Sequence, residues 1–142
     1  MKPRVLFLAR TRYRLPLTET LQRRFDALSE VLDWRQFGTS LDGRTVRDDR
    51  FTLVRPIPLG PLEGAAFHVA FPGRVIRELR AFRPDVVIVQ GAPDTALALL
   101  ARRVARADAP IVFDVHGDWR NDTRVYGSPL RRALSPLADI DG

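Results

Sequence analysis

Ile111-Val112-Phe113-Asp114-Val115-His116-Gly117-Asp118-Trp119 is a short apolar run that ends in polar residues and glycine. Upstream, Asp85-Val86-Val87-Ile88-Val89-Gln90 runs into Gly91-Ala92-Pro93-Asp94 and has the same form. Both runs are rich in β-branched residues and too short to cross a bilayer. Continuous apolar runs of this kind suit parallel strands covered on both faces by helices. In such sheets, ligands sit outside the carboxyl ends of the strands. His116 stands at one of those ends, which makes it a candidate for chemistry rather than packing.

The rest of the chain fits around these two strands. Arg4–Ala9 reads as a first strand, followed by an arginine-rich loop over Arg10–Pro16. Leu17, Leu21, Phe25, Leu28 and Leu32 recur at helical spacing, with Thr18 as N-cap. A second strand is expected over Val31–Phe37, a loop over Gly38–Arg50 and a third strand over Phe51–Val54. Pro56, Pro58 and Pro61 then forbid regular structure. Phe67, Phe71, Val75, Leu79 and Phe82 mark a second helix over Gly64–Phe82, with a kink or restart at Pro72-Gly73. Pro93–Ala107 reads as a third helix, facing inward through Ala96, Leu100 and Val104. Trp119–Gly127 reads as loop, and Ser128-Pro129 opens a last helix through Leu130, Leu134 and Leu137.

This alternation predicts a doubly wound, mostly parallel Rossmann-like α/β sheet of about five strands, with helices on both faces. A strand order of 3-2-1-4-5 puts the topological switch between the first strand and the one ending at Gln90. Arg10–Pro16 and Gly91–Asp94 then border the crevice, with His116–Asp118 one strand further. A doubly wound unit usually has one more strand than this chain supplies, so residues 1–142 are expected to be a single domain cut from a longer protein.

Composition narrows the classes. The 142 residues suffice for one domain with a real core, and the hydrophobic share of 45% is ordinary for a globular protein. No apolar run is long enough for a transmembrane helix. Arg10 interrupts the apolar run near the N-terminus, which favours a strand over a signal peptide. Cysteine is absent, which removes disulfides and thiolate chemistry and fits a cytoplasmic protein. The net charge is +6 and Lys2 is the only lysine. Arginine binds phosphate and carboxylate bidentately, although a bias in arginine usage gives the same composition. The charge permits contact with anionic lipids or phosphorylated substrates and does not demand nucleic acid.

The candidate residues each carry two readings. Arg10, Arg12 and Arg14 alternate beside Tyr13, and no glycine accompanies them, so a dinucleotide fingerprint is absent. They bind an anion at the crevice or form a solvated loop. His116 orients a substrate hydroxyl or acts as a base, or it terminates the sheet through a backbone carbonyl. Asp114 faces the same way and is placed to orient it. His68 reads as a partly buried helix residue. Two distant histidines without cysteine make a weak case for a metal, and no cofactor is expected. Arg74, Arg77, Arg80 and Arg83 recur at every third position beside Phe67 and Phe71, as on a membrane-surface helix or on an ordinary solvated face.

Three segments carry a family resemblance: Val5–Ala9, Arg83-Pro84-Asp85-Val86-Val87-Ile88-Val89-Gln90-Gly91, and Pro110 through Trp119. In order and spacing they resemble the N-terminal half of a GT-B glycosyltransferase of the retaining group 1, or family 4. An R-P-D-V-V strand opening followed one helix later by P-x-V-x-x-x-H-G is that family's pattern. The resemblance implies an acceptor-binding domain that forms one wall of a cleft. It implies that His116 lies near the transferred sugar, with Asp118 and Trp119 in the same cleft; Gly117 beside them, and Gln90, Gly91 and Asp94 at the neighbouring strand end, are substrate-binding candidates by their position. A nucleotide-sugar donor would bind mainly to a C-terminal domain absent from this sequence, so the fragment alone would not turn over. The acceptor would be a glycan or lipid-linked hydroxyl, and the protein cytoplasmic or peripheral at the inner face of the membrane. Arginine stands where the family usually has a glycine-rich first loop. The alternative is a stand-alone flavodoxin-like or receiver-like binding module without catalysis, although a receiver would place aspartates where this chain has Arg10–Arg14.

Overall fold

The computed structural model describes residues 1–58 and 60–115. His116, Gly117, Asp118 and Trp119, the expected loop over Trp119–Gly127 and the helix expected from Ser128 all lie outside the described residues. In chain order the elements are β1 (Arg4–Tyr13), α1 (Glu19–Val31), β2 (Asp33–Ser40), β3 (Val46–Arg47), β4 (Phe51–Val54), α2 (Glu63–Phe82), β5 (Val86–Gln90), α3 (Ala92–Ala105) and β6 (Ile111–Asp114). A single 3-10 turn, Gly60–Leu62, leads into α2.

The six strands form one sheet in the order β3-β4-β2-β1-β5-β6. All neighbours are parallel except β3, which pairs antiparallel with β4. Without that short edge strand, the order is the expected 3-2-1-4-5. β1 is central: Val5 aligns with Trp34 of β2 on one side and with Val86 of β5 on the other.

Side-chain alternation splits the core into two layers. On one face, Phe25 of α1 packs against Trp34 and Phe51. The Phe25 and Trp34 rings stack at 4.7 Å, with Phe51 edge-on to both. On the other face, Leu6, Leu8, Phe37, Val87 and Val89 meet α2 and α3 through Phe67, Phe71, Val75, Leu79, Ala98 and Ala101. Helices therefore cover both faces, as the unbroken apolar strands require.

Four local expectations are corrected. First, β1 does not end at Ala9. Its extended backbone continues to Tyr13, where Arg12 and Tyr13 pair with Thr39 and Ser40 across a register irregularity. Second, Gly38–Arg50 is not wholly loop, because β2 runs to Ser40 and β3 lies within it. Third, α2 does not restart at Pro72-Gly73 but runs unbroken from Glu63 to Phe82. An interior proline costs a helix about 3 kcal/mol. Burial of Phe67, Phe71, Val75, Leu79 and Phe82, each 6% exposed or less, outweighs that at about 1.5–3 kcal/mol per side chain. Fourth, α3 does not face inward through Ala96, Leu100 and Val104. Its buried positions are Asp94, Ala98 and Ala101, while Leu100 and Val104 are half-exposed. The two alanines let α3 sit close against α2 and the sheet, so small size decides the contact face here and hydrophobicity does not.

Candidate functional site

The parallel strands share one carboxyl edge. Order reverses between β1 and β5, the switch point at which sheets of this kind place their ligand crevice. The start of α2 and the start of α3 border that crevice together with the far end of β1.

Glu63, in the first turn of α2, collects the arginines from β1. Arg12 Nη2 lies 2.8 Å from Glu63 Oε1, and Arg10 Nη2 lies 3.9 Å from the same oxygen. The Arg10 guanidinium also sits 5.6 Å above the Phe67 ring. Gly64 leaves room for it, since a Cβ there would stand 3.3 Å from Arg10 Nη1. Arg14 goes elsewhere, with its Nε 3.0 Å from Asp42 Oδ1. Of the three alternating arginines, the structure brings two together and separates the third.

One turn along α2, His68 bridges to α3. Its Nδ1 lies 2.6 Å from the Gly64 carbonyl oxygen, and its Nε2 lies 3.1 Å from Asp94 Oδ1. Both partners accept hydrogen bonds, so only the doubly protonated imidazolium satisfies both. Asp94 is buried, and its Oδ1 has no other hydrogen-bond partner among the described residues. The hydrogen bond to Asp94 raises the His68 pKa above its ordinary 6.5; burial opposes it, the Gly64 carbonyl and the Asp94 charge add to it, and Arg10 subtracts. Asp94 is further held at the positive end of α3. With both nitrogens committed, His68 has no lone pair to offer as a base. It ties the two helices together at the crevice.

Gly91 caps α3 at φ +96°, a conformation that side chains rarely adopt. Its carbonyl accepts from the Thr95 backbone N–H at 3.0 Å and from the Thr95 hydroxyl at 2.8 Å. Gln90 lies across from Asp114 of β6, with Nε2 3.3 Å from Asp114 Oδ2. Gln90, Gly91 and Asp94 thus stand together at the carboxyl edge, as expected, and Asp114 carries the chain toward His116.

Arg74, Arg77, Arg80 and Arg83 do not act as one stripe. Arg80 reaches the Val104 carbonyl of α3 at 3.4 Å, and Arg83 ends α2 in the left-handed conformation. Arg74 and Arg77 turn toward a cleft beyond β4. Sequence reasoning passed over Glu63 and treated His68 as a bystander. An acidic residue in the first turn of a helix that follows an arginine-rich strand was the available signal for Glu63. Nothing local announces the His68–Asp94 pair. Among the described residues, no group of three or more His, Asp or Glu is placed to hold a metal ion. No helix among them is long and apolar enough to cross a membrane.

Sheet order and crossovers define a doubly wound α/β domain of the Rossmann-like kind. Residues 35–140, more than half of the chain, match glycosyltransferase family 4, and the chain belongs to that family. Among solved structures, two forms of the C-terminal domain of a hydrogenase from Pyrococcus furiosus share the fold. One is 13% identical, covering 79% of this chain and 91% of that one, with a TM-score of 0.53. The other is 12% identical, covering 81% and 93%, with a TM-score of 0.52. UDP-GlcNAc 2-epimerase from Methanocaldococcus jannaschii is 18% identical over 97% of this chain and 37% of its own, with a TM-score of 0.48. No curated protein matches the chain.

Proposed function

We propose that residues 1–142 are the acceptor-binding N-terminal domain of a retaining glycosyltransferase that moves a sugar from a nucleotide-sugar donor to an acceptor hydroxyl. The observation that supports this reading is the parallel α/β sheet of a family 4 chain, with Arg10 and Arg12 gathered on Glu63 beyond β1 and Gln90, Gly91 and Asp94 at the carboxyl end of β5. In this reading, His116 contacts the transferred sugar, and Gly117, Asp118 and Trp119 line the same cleft. Arg10 and Arg12 guide the acceptor, and Arg14 acts from the rim. The donor binds mainly to a second domain outside this sequence, so the fragment alone is inactive. The acceptor is a glycan or lipid-linked hydroxyl, met in the cytoplasm or at the inner face of an anionic membrane. Nucleic acid is not a partner.

Two experiments test this. Titration calorimetry of residues 1–142 with UDP- and GDP-sugars should show no micromolar binding, and such binding would contradict the division of labour. In the full-length polypeptide, His116→Ala should lower turnover by ~10²-fold or more with the protein still folded, as for a positioned group acting in the transition state. Near-normal kcat would leave His116 as a sheet terminator.

A further inference from the structure

Beyond β4, a cleft of about 630 Å³ opens between the proline-rich segment and the side of α2. Val54, Pro56, Ile57 and Pro58 form its apolar wall, and Arg55, Arg74 and Arg77 its charged one, beside the Thr45 hydroxyl. A water-sized space next to it, lined by Arg10, Thr39, Glu63 and Phe67, shares Arg55, Pro56, Ile57 and Arg74. The cleft thus opens from the same carboxyl edge as the crevice.

The charge there is unbalanced. Among the described residues, none of Arg55, Arg74 and Arg77 has an acidic partner within 4.0 Å. The one acid among the residues lining the two spaces, Glu63, is already taken by Arg12 and Arg10. Arg74 Nη1 and Thr39 Oγ1 are buried and have no hydrogen-bond partner among the described residues. A buried guanidinium N–H left unpaired is costly, and Arg74 and Arg77 repel each other one turn apart. Burial, and then the Arg77 charge, hold the Arg74 pKa below its ordinary value. A single water in the small space could satisfy one donor but would not neutralise any charge.

We propose that this cleft seats the phosphate of an organic phosphomonoester, with Arg55, Arg74 and Arg77 as its counter-charges. A phosphate dianion offers three oxygens and close to two charges, enough to engage three cations, whereas a carboxylate offers two oxygens and one charge. The cleft is larger than a bare phosphate and has the volume of a small-molecule site. The proline and isoleucine wall faces the organic body. Assigning that body to the acceptor rests on the glycosyltransferase reading; the phosphate seat itself does not.

The test follows arginine Nε–Hε resonances of the 142-residue chain during titration with inorganic phosphate and with glucose 6-phosphate, at constant ionic strength. A parallel arm sediments the chain with phosphatidylglycerol–phosphatidylcholine vesicles. Saturable binding of either soluble probe should weaken roughly tenfold or more in R74Q/R77Q, the worth of one charge-assisted hydrogen bond. It should persist in R103Q, which changes charge on an exposed face of α3. R55Q/R77Q, which alters only exposed side chains, serves if loss of Arg74 impairs folding. Vesicle binding that the same variants abolish, without binding of soluble probes, would assign the phosphate to a lipid headgroup. Binding that is equal in all variants, or absent in both arms, overturns the proposal. Turnover of the full-length polypeptide reads the glycosyltransferase assignment separately, so either can fail alone.

Discussion

Replacing Glu78 with alanine should destabilise the domain by about 3 kcal/mol. Glu78 is fully buried on α2, and three elements of the sheet converge on it. Arg35 Nη1 of β2 lies 3.1 Å from Oε2, while Thr52 of β4 and Arg47 of β3 approach Oε1 at 3.3 and 3.7 Å. Removing one partner of a buried ion pair typically costs about 3–5 kcal/mol, because the other charge is left uncompensated. The lower end applies here, since Arg35 and Arg47 are 19% and 48% exposed and can turn toward water. At roughly 3–4 °C per kcal/mol for a chain of this length, Tm should fall by about 10 °C. Glu78→Gln keeps the hydrogen-bonding oxygen and should lose less, about 1–2 kcal/mol. Pairing Glu78→Leu with Arg35→Met should recover most of the loss, because an apolar pair of similar volume often replaces a buried ion pair at little cost. Thermal melts by circular dichroism decide it. A Glu78→Ala protein melting within about 2 °C of wild type would refute the argument that this carboxylate anchors α2 to the sheet.

Two further outcomes follow from the structure. Gly38→Ala should cost about 1–3 kcal/mol by overpacking, since its Cβ would stand 2.9 Å from the Thr11 carbonyl oxygen and 3.1 Å from the Tyr13 ring; an unchanged urea midpoint would show that the β1 extension yields easily. For His68, a raised folded pKa means that the stability from its pair with Asp94 is complete below about 6.5, the unfolded value, and is lost as pH rises through the folded value. NMR titration should therefore give a midpoint above 6.5, lowered by Asp94→Asn, and a wild-type midpoint below 6.5 would exclude the double hydrogen bond.

What the residues alone reveal depends on how local the governing physics is. Val86–Gln90 and the Leu21–Phe25–Leu28 spacing are decided within a few residues, and strand and helix fall where the patterns put them. The strand order also follows, because right-handed crossovers leave few alternatives. Arg10–Tyr13 was misread because arginine and threonine suggest a loop, although alternation is itself a strand pattern. The α3 face was misread because Leu100 and Val104 outweigh Ala98 and Ala101 on any hydrophobicity scale, whereas close approach of backbones rewards the smaller side chain. At the candidate site, the sequence placed Gly91 and Asp94 at the strand end. It could not place His68 against Asp94, a contact between two helices that only the sheet brings together.

The central position of β1 also bears on how the chain is made. Ribosomes deliver Arg4–Leu8 first, yet one of its edges must wait for Val86–Val89. Once β2 has emerged, the other half of β1's backbone groups stays open while about fifty more residues are added, roughly 3–10 s at ordinary elongation rates. An unpaired apolar strand edge during that interval invites association with other nascent chains. Translation speed between Ser40 and Gln90 should therefore govern soluble yield, and synonymous codons that slow this stretch should lower it without altering a single residue.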